Sequence, residues 1–487
     1  MYEHLRRLAG GSLIYGVGGI VSRFVSILLL PFFTAYLAPA DYGVLALLAI
    51  VSVFLAGFAS LGTGASMGIC YFEAKTAVER DSVVFSTIAG VALSSMSLLI
   101  AAVLMRAPAS KLLFGTADYG QHLVLIFVQM AVTTMTAPIL VQLRMENRAK
   151  TYISYSIALA IGVAVANVVA VIVLKGGLLG LLYSAAAINL LFGIGLLVFY
   201  CARKRPDFSL YVFRRVIRLG LPSAFGVGAF FFIDYSGRAL IERFAGLSEL
   251  GVFSLGLSFG MMMTLLADSA FGVAWPAFFI SFIDRREEAA RVFGKVLLLF
   301  SGFYLFLCLA FFLFASPVVH LLTQPEFHGA ATVVGGVALC SVLKGVYLIF
   351  LPGFYFEKKL YWQTFLEWVA AIVAVGLGWL AIPLWGKEGA VIAAVSAYLV
   401  LCFLTYFVGR SFLRVEYPFA RIGGIVVFFL IGAWASFANF GLTFALDALV
   451  RMAILLVFGI IVLSLSLSAS ELKTASRVIR LIVAKTN

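Results

Sequence analysis

SLIYGVGGIVSRFVSILLLPFFTAYL, residues Ser12–Leu37, carries a single charge, Arg23, in an otherwise apolar run. About 20 consecutive apolar residues suffice to cross the hydrocarbon core of a bilayer, so the run predicts a membrane-spanning helix. At a rise of ~1.5 Å per residue Arg23 falls near its middle. A guanidinium there costs at least ~2.5–3.5 kcal/mol on insertion scales. A chain accommodates that cost where the charge faces a polar cavity or a partner. The pattern recurs with Arg238 in the run after Pro222 and Lys344 in the run after Gly329. Interior cations point to a membrane interior that handles something negatively charged.

The composition agrees with a membrane protein. Of 487 residues, 63% are hydrophobic and 12% charged, and the mean hydropathy is +1.10; soluble domains carry roughly 25% charged residues. The first run is too long for a signal peptide and lacks a small-residue cleavage pattern, so it reads as a retained span. Cys70, Cys201, Cys308, Cys340 and Cys402 are scattered in or beside apolar runs, which argues against a disulfide framework and a metal cluster. His4, His122, His320 and His328 form no metal-ligand spacing, and no cofactor is expected.

Continued along the chain, the hydropathy pattern yields about fourteen apolar segments of spanning length. They fall near 12–37, 43–70, 83–105, 119–143, 151–173, 178–201, 219–241, 251–275, 292–316, 329–355, 363–384, 389–409, 422–438 and 447–469. The links alternate in charge. Of the 35 Lys and Arg residues, 26 lie in one alternating set of links and the termini, and 5 in the other (Arg106, Lys111, Lys175, Arg243, Lys387). The positive-inside rule places both termini and the basic links in the cytoplasm. The net charge of +13 is then topological, which removes nucleic acid as a partner. The links are also too short for an extramembrane catalytic domain.

An internal repeat organises the spans. FTAYLAPADYGVLALLAI (Phe33–Ile50) resembles ERFAGLSELGVFSLGLSF (Glu242–Phe259), aligning Tyr36 with Phe244, Asp41 with Glu249 and Gly43 with Gly251. The expected fold is an all-α polytopic membrane protein: two six-helix bundles in parallel repeat, residues 1–205 and 206–410, with two appended helices in 411–487. Like bundles facing each other suit alternating access.

The opening GSLIYGVGGIVSRFVSILLLPFFTAYLAPADYGVLALL resembles that of the polysaccharide-biosynthesis (Wzx-type) flippases, within the multidrug/oligosaccharidyl-lipid/polysaccharide exporter superfamily. The resemblance rests on Ser22-Arg23, on Pro31 and on the Leu-Ala-Pro-Ala-Asp-Tyr-Gly turn. It implies a flippase, not an enzyme, that moves an undecaprenyl-diphosphate-linked oligosaccharide across the inner membrane for O-antigen or exopolysaccharide assembly. The partners implied are that lipid-linked oligosaccharide, the bilayer, a polysaccharide polymerase and a chain-length regulator. The related lipid II flippases share the Ser-Arg pair, but their fuller set of first-half arginines is not matched here: after Arg23 the first half offers only Arg144, near a span end.

The candidate site residues follow from the interior charges. Arg23, Arg238 and Lys344 are the substrate-binding candidates, since cations, and guanidinium above all, match diphosphate oxygens. Asp234 stands i, i+4 from Arg238 and shares its helix face; the two either neutralise each other or separate during transport. Asp234 and Asp268 are the candidates for ion coupling, because a carboxylate in a low-dielectric interior is readily protonated. Asp447 and Arg451 have the spacing of a structural bridge. Two other functions compete. A cation-coupled multidrug exporter would favour interior acids over these three cations. A membrane glycosyltransferase or polymerase would need a substantial outer loop. The chain has no phosphate-binding Gly-x-x-x-x-Gly-Lys-Ser/Thr loop, so any pumping draws on an ion gradient or substrate flow.

Overall fold

Helices and their connecting turns make up this computed structural model, which describes residues 29–146, 148–204, 207–267, 271–438 and 444–466. No strand occurs among the described residues. In a hydrocarbon solvent every backbone N–H and C=O must be satisfied within its own segment, and helices achieve that. The first predicted span, with Arg23, lies outside the described residues except for α1 (Leu30–Thr34). There follow α2 (Pro39–Ala59), α3 (Thr63–Glu73), α4 (Ala77–Leu104), α5 (Arg106–Phe114), α6 (Gly120–Met145), α7 (Ala149–Val168) and α8 (Gly177–Arg203). The rest are α9 (Leu210–Gly260), α10 (Met262–Ala267), α11 (Val273–Ile280), α12 (Arg286–Leu322), α13 (Ala331–Phe350), α14 (Pro352–Phe356), α15 (Leu360–Gly409), α16 (Phe419–Ala435) and α17 (Phe444–Ser466).

Ten helical segments among the described residues are long and apolar enough to cross a membrane. Two are broken by a glycine: α9 at Gly246 (φ 83°, ψ 175°) and α15 at Gly386 (φ 52°, ψ −129°). Backbone with φ above zero is open to glycine at little cost; in α15 the break folds the chain back, so that Gly389 lies against the Ala381 carbonyl. Two expected spans differ from the prediction. The second, expected as one helix over 43–70, divides into α2 and α3 at Leu61 and Gly62, both left-handed. The eighth, expected over 251–275, is interrupted at Met261, between α9 and α10.

Local sequence explains the helix starts. Thr76 and Glu79 cap α4 reciprocally: the Glu79 N–H donates to Thr76 Oγ1 (3.2 Å) and the Thr76 N–H to Glu79 Oε2 (3.4 Å). Pro39 opens α2, and its Asp41 accepts from the Ala38 N–H (2.9 Å).

The chain forms two compact units. One holds the described residues up to Leu255 with Leu322–Phe327 and Ala370–Ala393; the other holds Gly256–Leu321, His328–Val369 and the described residues from Ala394 onward. In the first unit α2 runs along α9 through glycines. A Cβ on Gly43 would overlap the Leu247 carbonyl, and one on Gly251 would overlap the Pro39 carbonyl. At the far end of α2, Gly62 and Gly220 approach backbone to backbone in the same way. In the second unit Arg451 ties three elements. Its Nε meets Asp447 Oδ2 at 2.6 Å, as the spacing predicts, and one terminal nitrogen donates to the carbonyls of Leu313 (2.7 Å) and Ser436 (3.3 Å).

Candidate functional site

The ascending half of α9, from Leu210 to Gly246, carries Asp234, Tyr235 and Arg238. Between the two glycine crossings Phe54 of α2 packs on Phe231 at 5.1 Å, and Phe231 stacks on Tyr235 at 5.0 Å with 14° between the rings. The Arg238 guanidinium lies 4.6 Å from the Tyr235 ring centre, so a cation caps this aromatic column. Eight residues separate it from Gly246, about 12 Å of helix.

Arg238 is buried, 9% exposed. A guanidinium has five N–H donors and no acceptor, yet Nε of Arg238 has no hydrogen-bond partner. Arg238 makes no ion pair among the described residues. The i, i+4 spacing thus brings Asp234 into the same turn but not into a salt bridge with Arg238. A desolvated cation–π contact is worth about 2 kcal/mol, short of the several kcal/mol that taking an ion out of water costs. The arrangement is suited to an anion with several acceptor oxygens.

In the second unit Lys344 is half-buried on α13, whose neighbouring turns are anchored on several sides. Ser341 and Thr264 share a hydroxyl hydrogen bond of 2.6 Å. The Trp275 indole donates to the Leu348 carbonyl at 2.8 Å. The Tyr347 hydroxyl donates to Glu367 Oε1 of α15 at 2.5 Å, and Gln363 Nε2 donates to the same oxygen at 3.0 Å. Glu367 is 3% exposed.

Of the predicted site residues, Arg23 and Asp268 lie outside the described residues. Asp234 and Arg238 share one turn of the first unit, and Lys344 stands in the second. The sequence reading missed Glu367, although an acid within the eleventh apolar run, LYWQTFLEWVAAIV, with Gln363 one turn earlier, was a usable sign. Counting it makes the interior acids as numerous as the three cations, so charge balance alone does not separate an anionic from a cationic cargo. Tyr235 was also missed, since nothing in an apolar, aromatic-rich run marks one ring as the one beneath a cation. Among the described residues no group of three His, Cys, Asp or Glu side chains gathers as a metal site.

The sequence pattern of a family described as "Polysaccharide biosynthesis protein" matches residues 34–332. No curated protein sequence matches the chain. Among solved structures, the fold is similar to the lipid II flippase MurJ in its inward closed conformation, with TM-score 0.73, 13% identity, and coverage of 93% of this chain and 99% of that one. It is also similar to an inward-facing multidrug resistance MATE family transporter of the MOP superfamily (TM-score 0.66, 14% identity, 80% and 94% covered). A third is a MOP superfamily transporter from Pyrococcus furiosus (TM-score 0.56, 15% identity, 83% and 94% covered). These TM-scores establish a shared polytopic fold.

Proposed function

Because the chain belongs to the polysaccharide biosynthesis protein family, we propose that it is a flippase carrying an undecaprenyl-diphosphate-linked oligosaccharide across the inner membrane, both termini being cytoplasmic. The observation that carries the reading is the buried Arg238 with its unpartnered Nε. A diphosphate supplies acceptor oxygens for this guanidinium, and bidentate recognition favours Arg over Lys. Arg23 and Lys344 are the further phosphate contacts in this reading. Asp234 and Asp268 are its coupling groups, taking up a proton or a cation as substrate passes.

The duplication into residues 1–205 and 206–410, with 411–487 appended, fits alternating access without ATP. The cargo is moved rather than transformed. A polymerase and a chain-length regulator would consume the product on the far side, in O-antigen or exopolysaccharide assembly.

The test is export of surface polymer from cells that depend on this chain. Arg23→Glu, Arg238→Glu and Lys344→Glu should each abolish export at normal protein level, Arg23→Lys should retain part of it, and Arg23→Gln should fall between Lys and Glu. Normal polymer from all three charge reversals would overturn the phosphate reading in favour of a drug exporter. Unchanged transport in vesicles after proton and sodium gradients are both collapsed would remove ion coupling.

A further inference from the structure

The hairpin of α7 and α8 is tight at one end and open at the other. Near the turn, Gly176 and Gly180 press on the Ala170 carbonyl, and the Ser184 hydroxyl donates to Asn167 Oδ1 at 2.7 Å. Gly162 still fits closely against Ile188 and Phe192. Toward the basic links the two helices line a groove of about 710 Å³, within the ~300–1,000 Å³ of small-molecule sites, in which the Tyr155 and Phe192 rings meet edge to face at 6.2 Å. In the apolar 18-residue window of Ala149–Val173 only 11% of residues are buried inside the protein, which suits a face turned to lipid.

Its lining is graded. Lys150, Thr151 and Ser154 stand at the end near the basic links, with Tyr155 one residue deeper. Leu191, Phe192 and Leu196 form the apolar part. Phe199 completes the wall, and the Arg203 guanidinium lies 4.2 Å from its ring centre, bringing a second cation to the mouth. No carboxylate lines the groove. Gly195 creates its width: a Cβ there would meet nothing within 4 Å. Two residues earlier, on the other face of α8, Gly193 is packed tightly on Val132 of α6. The open glycine is therefore not a helix-packing device.

The geometry points to a binding site for one anionic phospholipid of the leaflet on the basic-link side, headgroup at Lys150 and Arg203, acyl chain over Gly195. Charge complementarity selects the occupant. Two cations and two small hydroxyls suit a phosphodiester, the apolar floor suits a chain, and basic residues at a membrane surface attract anionic lipid by about 1 kcal/mol each. A zwitterionic lipid fills the same floor without matching the mouth.

The test is native mass spectrometry of the full chain released from detergent, titrated with phosphatidylglycerol or phosphatidylcholine. The wild type should hold one phosphatidylglycerol about tenfold more tightly than phosphatidylcholine, roughly one factor of ten for 1.4 kcal/mol. Gly195→Leu, which fills the groove without meeting backbone, should weaken the first phosphatidylglycerol about tenfold, and Gly195→Ala should fall between. Lys150→Glu with Arg203→Glu should remove the preference for phosphatidylglycerol. If Gly195→Leu does not yield folded protein, Ser154→Phe makes the same test from the opposite wall. Equal binding of the two lipids by the wild type, or unchanged binding by the groove-filling variant, would overturn the proposal. So would equal competition by inorganic phosphate, or tighter capture of undecaprenyl phosphate at this site. None of these readouts depends on the transported substrate.

Discussion

Gly43 and Gly251, which align when Phe33–Ile50 is set against Glu242–Phe259, pack into the same helix crossing. A Cβ added to Gly251 would lie 3.0 Å from the Gly43 nitrogen and overlap the Pro39 carbonyl, while one added to Gly43 would overlap the Leu247 carbonyl. The alignment did not show that the two segments touch. The aligned acids diverge. Asp41 caps its own helix through the Ala38 N–H at 2.9 Å, whereas Glu249 Oε1 receives Lys387 Nζ at 2.8 Å.

The crossing should be intolerant of one methyl group. Gly43→Ala and Gly251→Ala should each cost about 1–3 kcal/mol, the range for overpacking. Together they should cost less than the sum, since both relax the same contact. Gly57, on the same helix with nothing within 4 Å of an added Cβ, should gain up to ~1 kcal/mol on substitution by Ala. Thermal midpoints of the purified variants check all four.

Two buried arginines should respond oppositely to the same change. Arg451→Met leaves Asp447 without its 2.6 Å partner and frees the Leu313 carbonyl, so about 3–5 kcal/mol of stability should be lost. Arg238→Met removes a desolvated charge that makes no ion pair among the described residues, and stability should stay level or rise, by up to ~1–4 kcal/mol. Export should nevertheless fail in Arg238→Met. Melting curves set beside polymer output separate the two outcomes; a strong loss of stability in Arg238→Met would make that arginine structural.

Tyr347 and Glu367 join α13 to α15 within the second unit. Tyr347→Phe removes one of two donors to a carboxylate that is 3% exposed, which should cost about 1–3 kcal/mol. Glu367→Gln keeps an acceptor oxygen for the Tyr347 hydroxyl and sheds a buried charge, so it should cost less than Tyr347→Phe. The order of thermal midpoints tests this, and the reverse order would mean that the ionised carboxylate itself holds the two helices together.

Reporter fusions test the orientation drawn from the basic links. Fusions at Glu79, Arg148, Asp207 and Glu357 should read cytoplasmic, and those at Asp41, Glu249 and Glu326 should read periplasmic. Two or more reversed sites would break the two-bundle arrangement.

Hydropathy and charge asymmetry are sums over neighbouring residues, so the all-helical polytopic fold, the approximate span positions and the alternation of basic links were determined by the sequence alone. The i, i+4 bridge of Asp447 and Arg451 was legible for the same reason: both partners lie on one helix. At Asp234 and Arg238 the same spacing puts both side chains on one turn without a salt bridge between them. There Phe54 and Phe231, brought together by the Gly43 and Gly62 crossings, build the column over which the guanidinium settles. The breaks at Gly246, Gly386 and Gly62, the Tyr347–Glu367 bond and the open groove at Gly195 belong likewise to the tertiary structure. Each depends on what a distant segment presses against or leaves empty, and no local window of an apolar sequence carries that information.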